Sequence, residues 1–390
     1  MNWTTATIGE VTKVLNGTTP RTSNPAYWGG SNIWITPKDL GKLDSWVIRM
    51  SDRFITDEGV ESCNLSLVPA GSIVMSSRAP IGHLAIAGCD LYTNQGCKSL
   101  MCSANLDPKF LFFTLMFRMP DIQAIGSGAT FVEISKSALE AFDIKFPNIV
   151  TQRQIATRLK AQLAEVEKAR QAAKAQLTEI STLLDFVIEK EINEALSKEF
   201  KNVILGDVVY ISAKLVDPTL PEIKNLLHVS AENITTITGE FINLKSAAED
   251  GMKSNKYLFE SGDVLYSKLR PYLRKVALPD FCGLCSADMY PLKAKSDHIE
   301  PEFLQILLSS KLFTEYANEK SARSRMPKLN RKQLFSWEFR LPVLKRQKAC
   351  VENVSRILEQ LKDAEKAIKK INAEISILPS KLLSQAFEMK

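Results

Sequence analysis

The chain has 390 residues, of which 45% are hydrophobic and 24% are charged, a composition typical of a globular protein and not of a disordered one. Its net charge is +6, and its seven cysteines, an odd number, favour reduced thiols over a disulfide framework. No apolar run reaches the roughly 18 residues that cross a membrane, and the N-terminus lacks a basic-then-apolar signal. We therefore expect a cytoplasmic protein without membrane spans, built from two or more domains.

The first distinctive segment in chain order is GSIVMSSRAPIGHLAI, residues 71–86. Two apolar runs flank Ser76, Ser77 and Arg78, so the pattern predicts two strands joined by a polar turn. The turn carries two hydroxyls and a guanidinium, which are donors suited to holding a ligand. The alternative is a polar turn that only connects the strands.

Each half of the chain ends in a long segment with a heptad pattern. From Thr151 to near Ser197 neither Pro nor Gly occurs, which predicts a helix roughly 70 Å long. The predicted seam contains Leu159, Val166, Ala173, Ile180 and Val187 in the first copy, and Val354, Leu361, Ile368, Ile375 and Leu382 in the second. Intervening seam positions in the second copy are Ile357, Ala364, Ile371 and Leu378. Two such helices can bury their seams against each other as a coiled coil; alternatively, each packs on its own globular half.

The two halves of the chain are copies of one plan. IGEV (8–11) matches LGDV (205–208), GSIVMSSRAP (71–80) matches GDVLYSKLRP (262–271), DPKFLFFTL (107–115) matches EPEFLQILL (300–308), and FDIKFPNIVTQRQ (142–154) matches WEFRLPVLKRQKA (337–349). We therefore predict an α+β fold with two pseudo-repeated globular domains, separated by two long antiparallel coiled-coil helices. The predicted segments are 1–150 and 200–344 for the domains, and 151–199 and 345–390 for the helices.

Two segments of the second half are strongly basic. SKLRPYLRK (267–275) places Lys268, Arg270, Arg274 and Lys275 around Tyr272. KSARSRMPKLNRK (320–332) has six basic residues and no acidic one. Interleaved short polar residues and arginines suit phosphates and base edges, although a solvated face is the alternative.

We assign separate roles within the segment 320–332. Arg323 and Arg325 precede a proline that stiffens the loop, so we predict that one of them reads a base. Lys328 and Lys332 follow where the chain re-enters the domain, and we predict that they contact phosphates. The matching segment of the first half, GSGATFVEISKSAL (126–139), is polar but weakly basic, which suggests two different half-sites.

No motif of the chain completes a catalytic or metal site. NPAYW (24–28) has no Gly-x-Gly loop before it, and GSGAT (126–130) has no Gly-Lys-Ser/Thr after it. Cys282 and Cys285 form a single Cys-x-x-Cys pair without a second pair. His83 has no evident acidic partner for a serine-based triad. We therefore predict no catalytic residue, no bound metal and no cofactor.

Further distinctive strings are YWGGSNIWITPKDL (27–40), SSRAPIG (76–82), TNQGCKSL (93–100) and GSGATFVEISKSAL (126–139), and a Pro-x-x-x-x-Gln junction comes before each long helix. In these features the chain resembles the specificity subunit of type I restriction-modification systems, over its whole length. The second half lacks the WITPKDL and TNQG strings and keeps only VSAENI (229–234) and LCSADMYPLK (284–293) near those places.

The resemblance implies two target-recognition domains that each read one part of a split double-stranded DNA sequence. Ser76, Ser77, Arg78, Asn94 and Gln95 would then present donors to DNA in the first half. The paired helices would set the gap and dock two methyltransferase subunits. S-adenosylmethionine would be bound by those subunits, and ATP by two restriction (motor) subunits, so this chain would be non-catalytic. The alternatives are a tandem recognition factor of another defence system, and a coiled-coil scaffold without DNA binding.

Overall fold

A computed structural model describes residues 3–126, 133–211, 214–321 and 327–388. The chain divides into two units, residues 1–172 with 371–390, and residues 173–370. Each unit therefore combines one repeat with parts of both long helices. The four segments predicted from sequence, with separate helical spacers, stay a prediction.

The first unit is built on three antiparallel or mixed sheets. Its strands are β1 (Thr4–Thr7), β2 (Thr12–Asn16), β3 (Trp28–Ile35), β4 (Val47–Ile48), β5 (Phe54–Ile55), β6 (Ile73–Ser76), β7 (Leu84–Ala87), β8 (Tyr92–Thr93), β9 (Cys97–Cys102) and β10 (Asp143–Phe146). Its helices are α1 (Ile8–Val11), α2 (Pro37–Gly41), α3 (Asp57–Ser62), α4 (Pro108–Phe117), α5 (Met119–Ile125), α6 (Lys136–Glu140) and the first part of α7 (Ile149–Leu196). The sheets have the strand orders β2-β9-β6-β7-β4, β5-β3-β8 and β1-β10.

The second unit repeats this plan. Its strands are β11 (Phe200–Ile204), β12 (Val209–Tyr210), β13 (Leu215–Val216), β14 (Leu227–Val229), β15 (Lys245–Ser246), β16 (Lys256–Phe259), β17 (Val264–Ser267), β18 (Val276–Ala277), β19 (Gly283–Cys285), β20 (Met289–Ala294) and β21 (Glu338–Pro342). Its helices are the last part of α7, α8 (Leu205–Val208), α9 (Pro301–Ser309), α10 (Lys311–Ser321), α11 (Arg331–Phe335) and the first part of α12 (Leu344–Phe387). The sheets are β12-β20-β17-β18, β13-β16-β19-β14-β15 and β11-β21.

The internal repeat predicted from sequence is confirmed by equivalent strands. Strand β6 ends at Ser76 and strand β17 ends at Ser267, the two serines that the motif match paired. The turns before these strands use Gly71 and Gly262 with φ of 86° and 87°, a left-handed conformation that glycine adopts without steric cost. The repeat therefore extends to the backbone geometry of single residues.

Both predicted long helices are present. Helix α7 has 48 residues and helix α12 has 44. In the first unit, Leu159 of α7 and Leu383 near the end of α12 join one core with the phenylalanines of α4. In the second unit, Ile188 of α7 and Val354 near the start of α12 share another core. Burial of these apolar side chains stabilises both helices, since packing contributes more than intrinsic helix propensity.

The predicted seam positions differ in burial. Leu159, Ala173, Val187, Val354 and Ile375 are buried, while Val166, Ile180, Leu361, Ile368 and Leu382 are half-buried. Ala364, Ile371 and Leu378, which we also predicted to be buried, are exposed. The half-buried row of α12 instead contains Leu358, Glu365, Asn372 and Pro379, four residues after each main position. Glu365 and Asn372 are thus more buried than the apolar Ala364 and Ile371, which a reading of hydrophobic periodicity does not predict.

A buried glutamine fixes the start of each long helix. The Gln152 side chain accepts a hydrogen bond from the Asp107 N–H (2.8 Å) and donates to the carbonyls of Asn105 (3.0 Å) and Pro147 (2.8 Å). Gln347 makes the equivalent three bonds in the second unit, at 2.8–2.9 Å. The Pro-x-x-x-x-Gln junction thus ties each long helix to the loop before α4 or α9.

Candidate nucleic-acid interface

Ser76 and Ser77 shape the polar turn of the first unit instead of facing outward. Both are fully buried. The Ser76 hydroxyl donates to the carbonyl of Pro80 (2.8 Å) and accepts from the N–H groups of Gly82 (3.0 Å) and His83 (2.9 Å). The prediction that these two serines contact DNA is therefore corrected, because their hydroxyls are engaged inside the protein. The prediction of a strand–turn–strand is confirmed by β6 and β7.

Arg78 is the exposed member of that turn. Its side chain is 47% exposed, and its Nε lies 2.9 Å from Oε2 of Glu133. The other carboxylate oxygen of Glu133 lies 3.5 Å from Nζ of Lys98, which is itself 3.3 Å from the Ser77 hydroxyl. Lys98 is buried, with 6% of its side chain exposed. The four residues form one polar cluster from three distant parts of the sequence.

Backbone hydrogen bonds bring the motifs of the first half together. The Asn94 N–H donates to the carbonyl of Ile35 (2.9 Å), at the end of β3. The Ser77 N–H donates to the carbonyl of Gly96 (2.8 Å), and Ile134 donates back to Ser77 (2.9 Å). The strings at 27–40, 76–82 and 93–100 and the segment 133–139 thus meet at one edge of the unit, which composition alone did not predict.

The predicted pair Asn94 and Gln95 lies in the turn before β9. The Asn94 side chain accepts from the N–H of Gly96 (3.0 Å), so its carbonyl oxygen stabilises the turn. Gln95 is exposed and accepts a hydrogen bond from the Thr19 hydroxyl. Of these two, Gln95 is the residue placed to reach a ligand outside the unit.

The second unit has the same edge with other side chains. Leu269 forms a β-bridge with Lys328, as Arg78 does with Glu133. The Arg270 N–H donates to the carbonyl of Pro327 (2.8 Å), and the Lys268 N–H donates to that of Asp288 (3.1 Å). The loop after β17 therefore lies beside Pro327 and Lys328, as the loop after β6 lies beside Glu133 and Ile134.

The basic residues predicted to bind DNA in the second unit differ in exposure. Arg270 and Lys328 are exposed, and so is Lys332 on α11. Lys268 has 11% of its side chain exposed, lies 3.4 Å from Asp288 and sits over the Tyr290 ring at 5.3 Å. Its ammonium also donates a hydrogen bond to the carbonyl of Ala287, so fewer of its N–H groups are available to bind DNA.

Arg274 and Lys275 are corrected as DNA contacts. Arg274 is buried, and its Nη1 lies 2.5 Å from Oδ1 of Asp185 on α7. The Lys275 ammonium donates to the carbonyl of Ile234. Both cations therefore form hydrogen bonds within the second unit.

Arg323 and Arg325, predicted as base readers, lie outside the residues that the structure describes, so that assignment stays a prediction.

Sequence reasoning missed Lys98, Glu133 and Asp288. One signal was available, since Lys98 is the single charged residue in the apolar strand β9.

Among the described residues, no group of three or more His, Cys, Asp or Glu is arranged to hold a metal ion. Within the same residues, no helix combines the length and apolarity needed to span a bilayer.

Comparison with known proteins points to one family. A model of the type I restriction modification DNA specificity domain matches residues 1–176 and again residues 197–376. The specificity subunit of the type I restriction enzyme EcoDI of Escherichia coli is 29% identical over 315 residues, which are 72% of this chain and 69% of that protein. The specificity subunit of the type I restriction enzyme MjaIX of Methanocaldococcus jannaschii is 35% identical over 158 residues, 40% of this chain and 37% of that protein.

Two solved structures have a similar fold. A chain from a structure that describes complex assembly and conformational transition of the type I restriction-modification system matches with a TM-score of 0.74 at 17% identity. It covers 99% of this chain and 97% of that chain. The HsdS subunit from Thermoanaerobacter tengcongensis matches with a TM-score of 0.60 at 16% identity, covering 99% and 96%. The predicted α+β class and the two-copy plan are thereby confirmed.

Proposed function

Because this chain belongs to the family of type I restriction-modification DNA specificity subunits, we propose that each of its two units reads one half of a split double-stranded DNA target. Specificity subunits are non-catalytic, and catalysis lies in the partner subunits of these systems. The chain therefore contributes sequence recognition. We place this function in the cytoplasm, where the DNA and the partner subunits would be met.

One observation carries the proposal of a split target. The edge described above has the same backbone plan in both units, with bridges Arg78–Glu133 and Leu269–Lys328, but its side chains differ in charge. A common scaffold with different donors and acceptors is what two readers of different base sequences require, since phosphate contacts position a protein and base-edge contacts specify the sequence.

The long helices are the proposed dock for two modification subunits. In the second unit, Leu183 and Phe186 of α7 are 50% and 66% exposed. In the first unit, Ile371 and Ile377 of α12 are 51% and 46% exposed. Large apolar side chains exposed along a helix favour burial by another protein. In this proposal the partners bind S-adenosylmethionine and ATP, and restriction subunits join the same complex.

The test is to compare adenine methylation in the genome of cells with and without this gene. We expect one bipartite methylated sequence that disappears with the gene. Purified chain should also bind duplex DNA with an affinity that falls as salt increases. If the methylated sequences are unchanged and the chain shows no salt-sensitive duplex binding, the proposal is wrong and a protein scaffold is favoured. If duplex binding persists but no methyltransferase is recovered with the chain, a separate recognition factor is favoured.

A further inference from the structure

We propose that Arg78 reads a guanine in the half-site of the first unit, and that Glu133 and Lys98 are positioning residues that hold its guanidinium for this contact. This inference rests on the proposed function, because it assumes that the first unit binds DNA. It assigns a base type to one residue and a role to two residues that sequence reasoning did not select.

The first argument concerns which N–H donors of the Arg78 guanidinium are already hydrogen-bonded within the protein. Arginine has five N–H donors in a planar fork. Nε of Arg78 donates to Oε2 of Glu133 at 2.9 Å. Among the described residues, nothing accepts a hydrogen bond from its two terminal nitrogens, and the side chain is 47% exposed. The pair of terminal N–H groups is therefore available for bidentate contact with the O6 and N7 acceptors of guanine.

The second argument is how firmly Glu133 is held. Its Oε1 lies 3.5 Å from Nζ of Lys98, and Lys98 also donates to the Ser77 hydroxyl at 3.3 Å. Only 6% of the Lys98 side chain is exposed. A buried ammonium needs a partner, so moving Glu133 away would leave Lys98 without its carboxylate. Glu133 thus restricts the Arg78 side chain before DNA binds, so that less conformational entropy is lost on binding.

The third argument distinguishes a base from a phosphate. A phosphate bound by Arg78 would lie close to the Glu133 carboxylate, and two anions repel each other at such distances. A guanine edge carries no net charge and presents two acceptors in the plane of the guanidinium. The two cations and one carboxylate leave one net positive charge, which still favours approach to DNA. The geometry therefore favours base reading over backbone binding.

The second unit does not repeat this device. Leu269 occupies the bridge position of Arg78, and Lys328 occupies that of Glu133. The acidic residue is instead Asp288, which lies 3.4 Å from Lys268 and 3.8 Å from Lys328. The arginine–glutamate pair at this bridge therefore occurs in the first unit and not at the equivalent bridge of the second. We expect the guanine that Arg78 reads to lie in the half-site bound by the first unit.

The test uses the full chain and a pool of double-stranded DNA with a randomised centre, from which bound molecules are sequenced. The variants are Arg78→Ala, Arg78→Lys, Glu133→Gln and Glu133→Ala. We expect Arg78→Ala to lose roughly tenfold to a hundredfold preference at one G·C position and to keep the other positions. Arg78→Lys should lose most of the same preference, because an ammonium cannot form two parallel hydrogen bonds.

The Glu133 variants should weaken the preference at that same position. Asp52→Ala is the matched control, since it removes one negative charge from an exposed pair with Lys42 elsewhere in the unit. It should leave every base preference unchanged. Thermal unfolding by circular dichroism shows whether each variant is folded, and Glu133→Gln, which retains the side-chain shape, is the more conservative variant.

Two results would contradict the inference while leaving DNA recognition intact. One is that Arg78→Ala weakens binding to all enriched sequences equally, which indicates a phosphate contact. The other is that the lost preference lies at an A·T position. If the unaltered chain enriches no sequence at all, the proposed function itself is wrong, and the inference fails with it.

Discussion

In the second unit, Nη1 of Arg274 lies 2.5 Å from Oδ1 of Asp185, which joins the loop after β17 to helix α7. Arg274 also donates through Nε to the carbonyl of Ser309. Its φ is 50°, in the left-handed region that non-glycine residues rarely adopt. The ion pair and hydrogen bonds offset the backbone strain of a non-glycine residue there. Arg274 thus links the loop after β17 to α7 and α9 within the second unit.

This relationship predicts opposite effects for two arginines four residues apart. Arg274→Ala leaves Asp185 without its partner and should destabilise the protein by about 3 kcal/mol, while the salt slope of DNA binding stays unchanged. Arg270→Ala removes an exposed cation and should keep stability within about 0.5 kcal/mol. It should lower the salt slope by about one unit. Urea unfolding and DNA binding across a salt series measure both, and a changed slope for Arg274→Ala would restore it as a DNA contact.

The Gln152 network predicts a marked loss of stability on removal of one amide. Gln152→Ala leaves one partly buried N–H and two carbonyls without that partner, so we expect a loss of about 2 to 4 kcal/mol in the free energy of unfolding. Gln154→Ala is the matched control, because Gln154 is exposed two residues further along the same helix. Equal unfolding midpoints for both variants would show that the network contributes little.

The sequence was sufficient to predict what depends on local pattern. Repeated strings predicted equivalent strands such as β6 and β17, and the absence of Pro and Gly predicted the length of α7. The sequence was not sufficient to predict which charged residues are exposed. Arg270 and Arg274 are alike in sequence context, but only the second meets a carboxylate from a helix 89 residues earlier in the chain. Such pairing depends on tertiary contacts that no local pattern encodes.

The same limit applies to the polar cluster of the first unit. Ser77, Lys98 and Glu133 are separated by 21 and 35 residues in the chain. Ser77 and Lys98 meet because β6 and β9 pair in one sheet, and Glu133 joins them through its bridge with Arg78. A hydroxyl on a turn is usually exposed, so Ser77 was predicted to face a ligand. The buried ammonium of Lys98 needs an acceptor beside it, and Ser77 supplies one.

The cysteines predict a selective pattern of alkylation. Burial raises the pKa of Cys97 to about 12 and that of Cys350 to about 12. Both thiols therefore stay protonated at pH 8, and thiolate is the reactive form. Cys282 is exposed. With iodoacetamide at pH 8 we expect Cys282 to react first, as measured by mass spectrometry of peptides, and the two buried thiols to react only after unfolding. Comparable rates in the native protein would contradict their burial.

Raised thiol pKa values also give a direction for stability against pH. The unfolded thiols ionise near their ordinary pKa of about 8.5, while Cys97 and Cys350 stay neutral in the folded protein until about 12. Their contribution is complete below pH 8.5 and is lost as the pH rises from there towards 12. Unfolding midpoints should therefore fall over this interval, and by less in Cys350→Ala than in the unaltered chain.

Helix α7 predicts a relationship between helix length and target spacing. Four residues inserted after Ser181 add about 6 Å to the helix, and 6 Å is less than two base pairs of duplex. If the helices set the gap as we propose, the methylated sequence should keep both halves and lengthen its spacer by one or two base pairs. An insertion of the same length in the exposed turn at Gly251 is the control and should leave the spacer unchanged. A constant spacer in both variants would show that α7 does not set the distance.

Two isoleucines one turn apart on α12 separate internal packing from partner binding. Ile375 is 8% exposed and Ile371 is 51% exposed, although the heptad pattern predicted both to be buried. Ile375→Asp places an unpaired carboxylate in a buried site and should lower the free energy of unfolding by about 3 kcal/mol or more. Ile371→Asp should change it by less than about 0.5 kcal/mol but reduce recovery of the modification subunits with the chain, because the proposed dock loses an apolar contact. Melting curves and co-purification measure the two effects. Strong destabilisation by Ile371→Asp would mean that this row is buried after all, and unchanged co-purification would remove Ile371 from the dock.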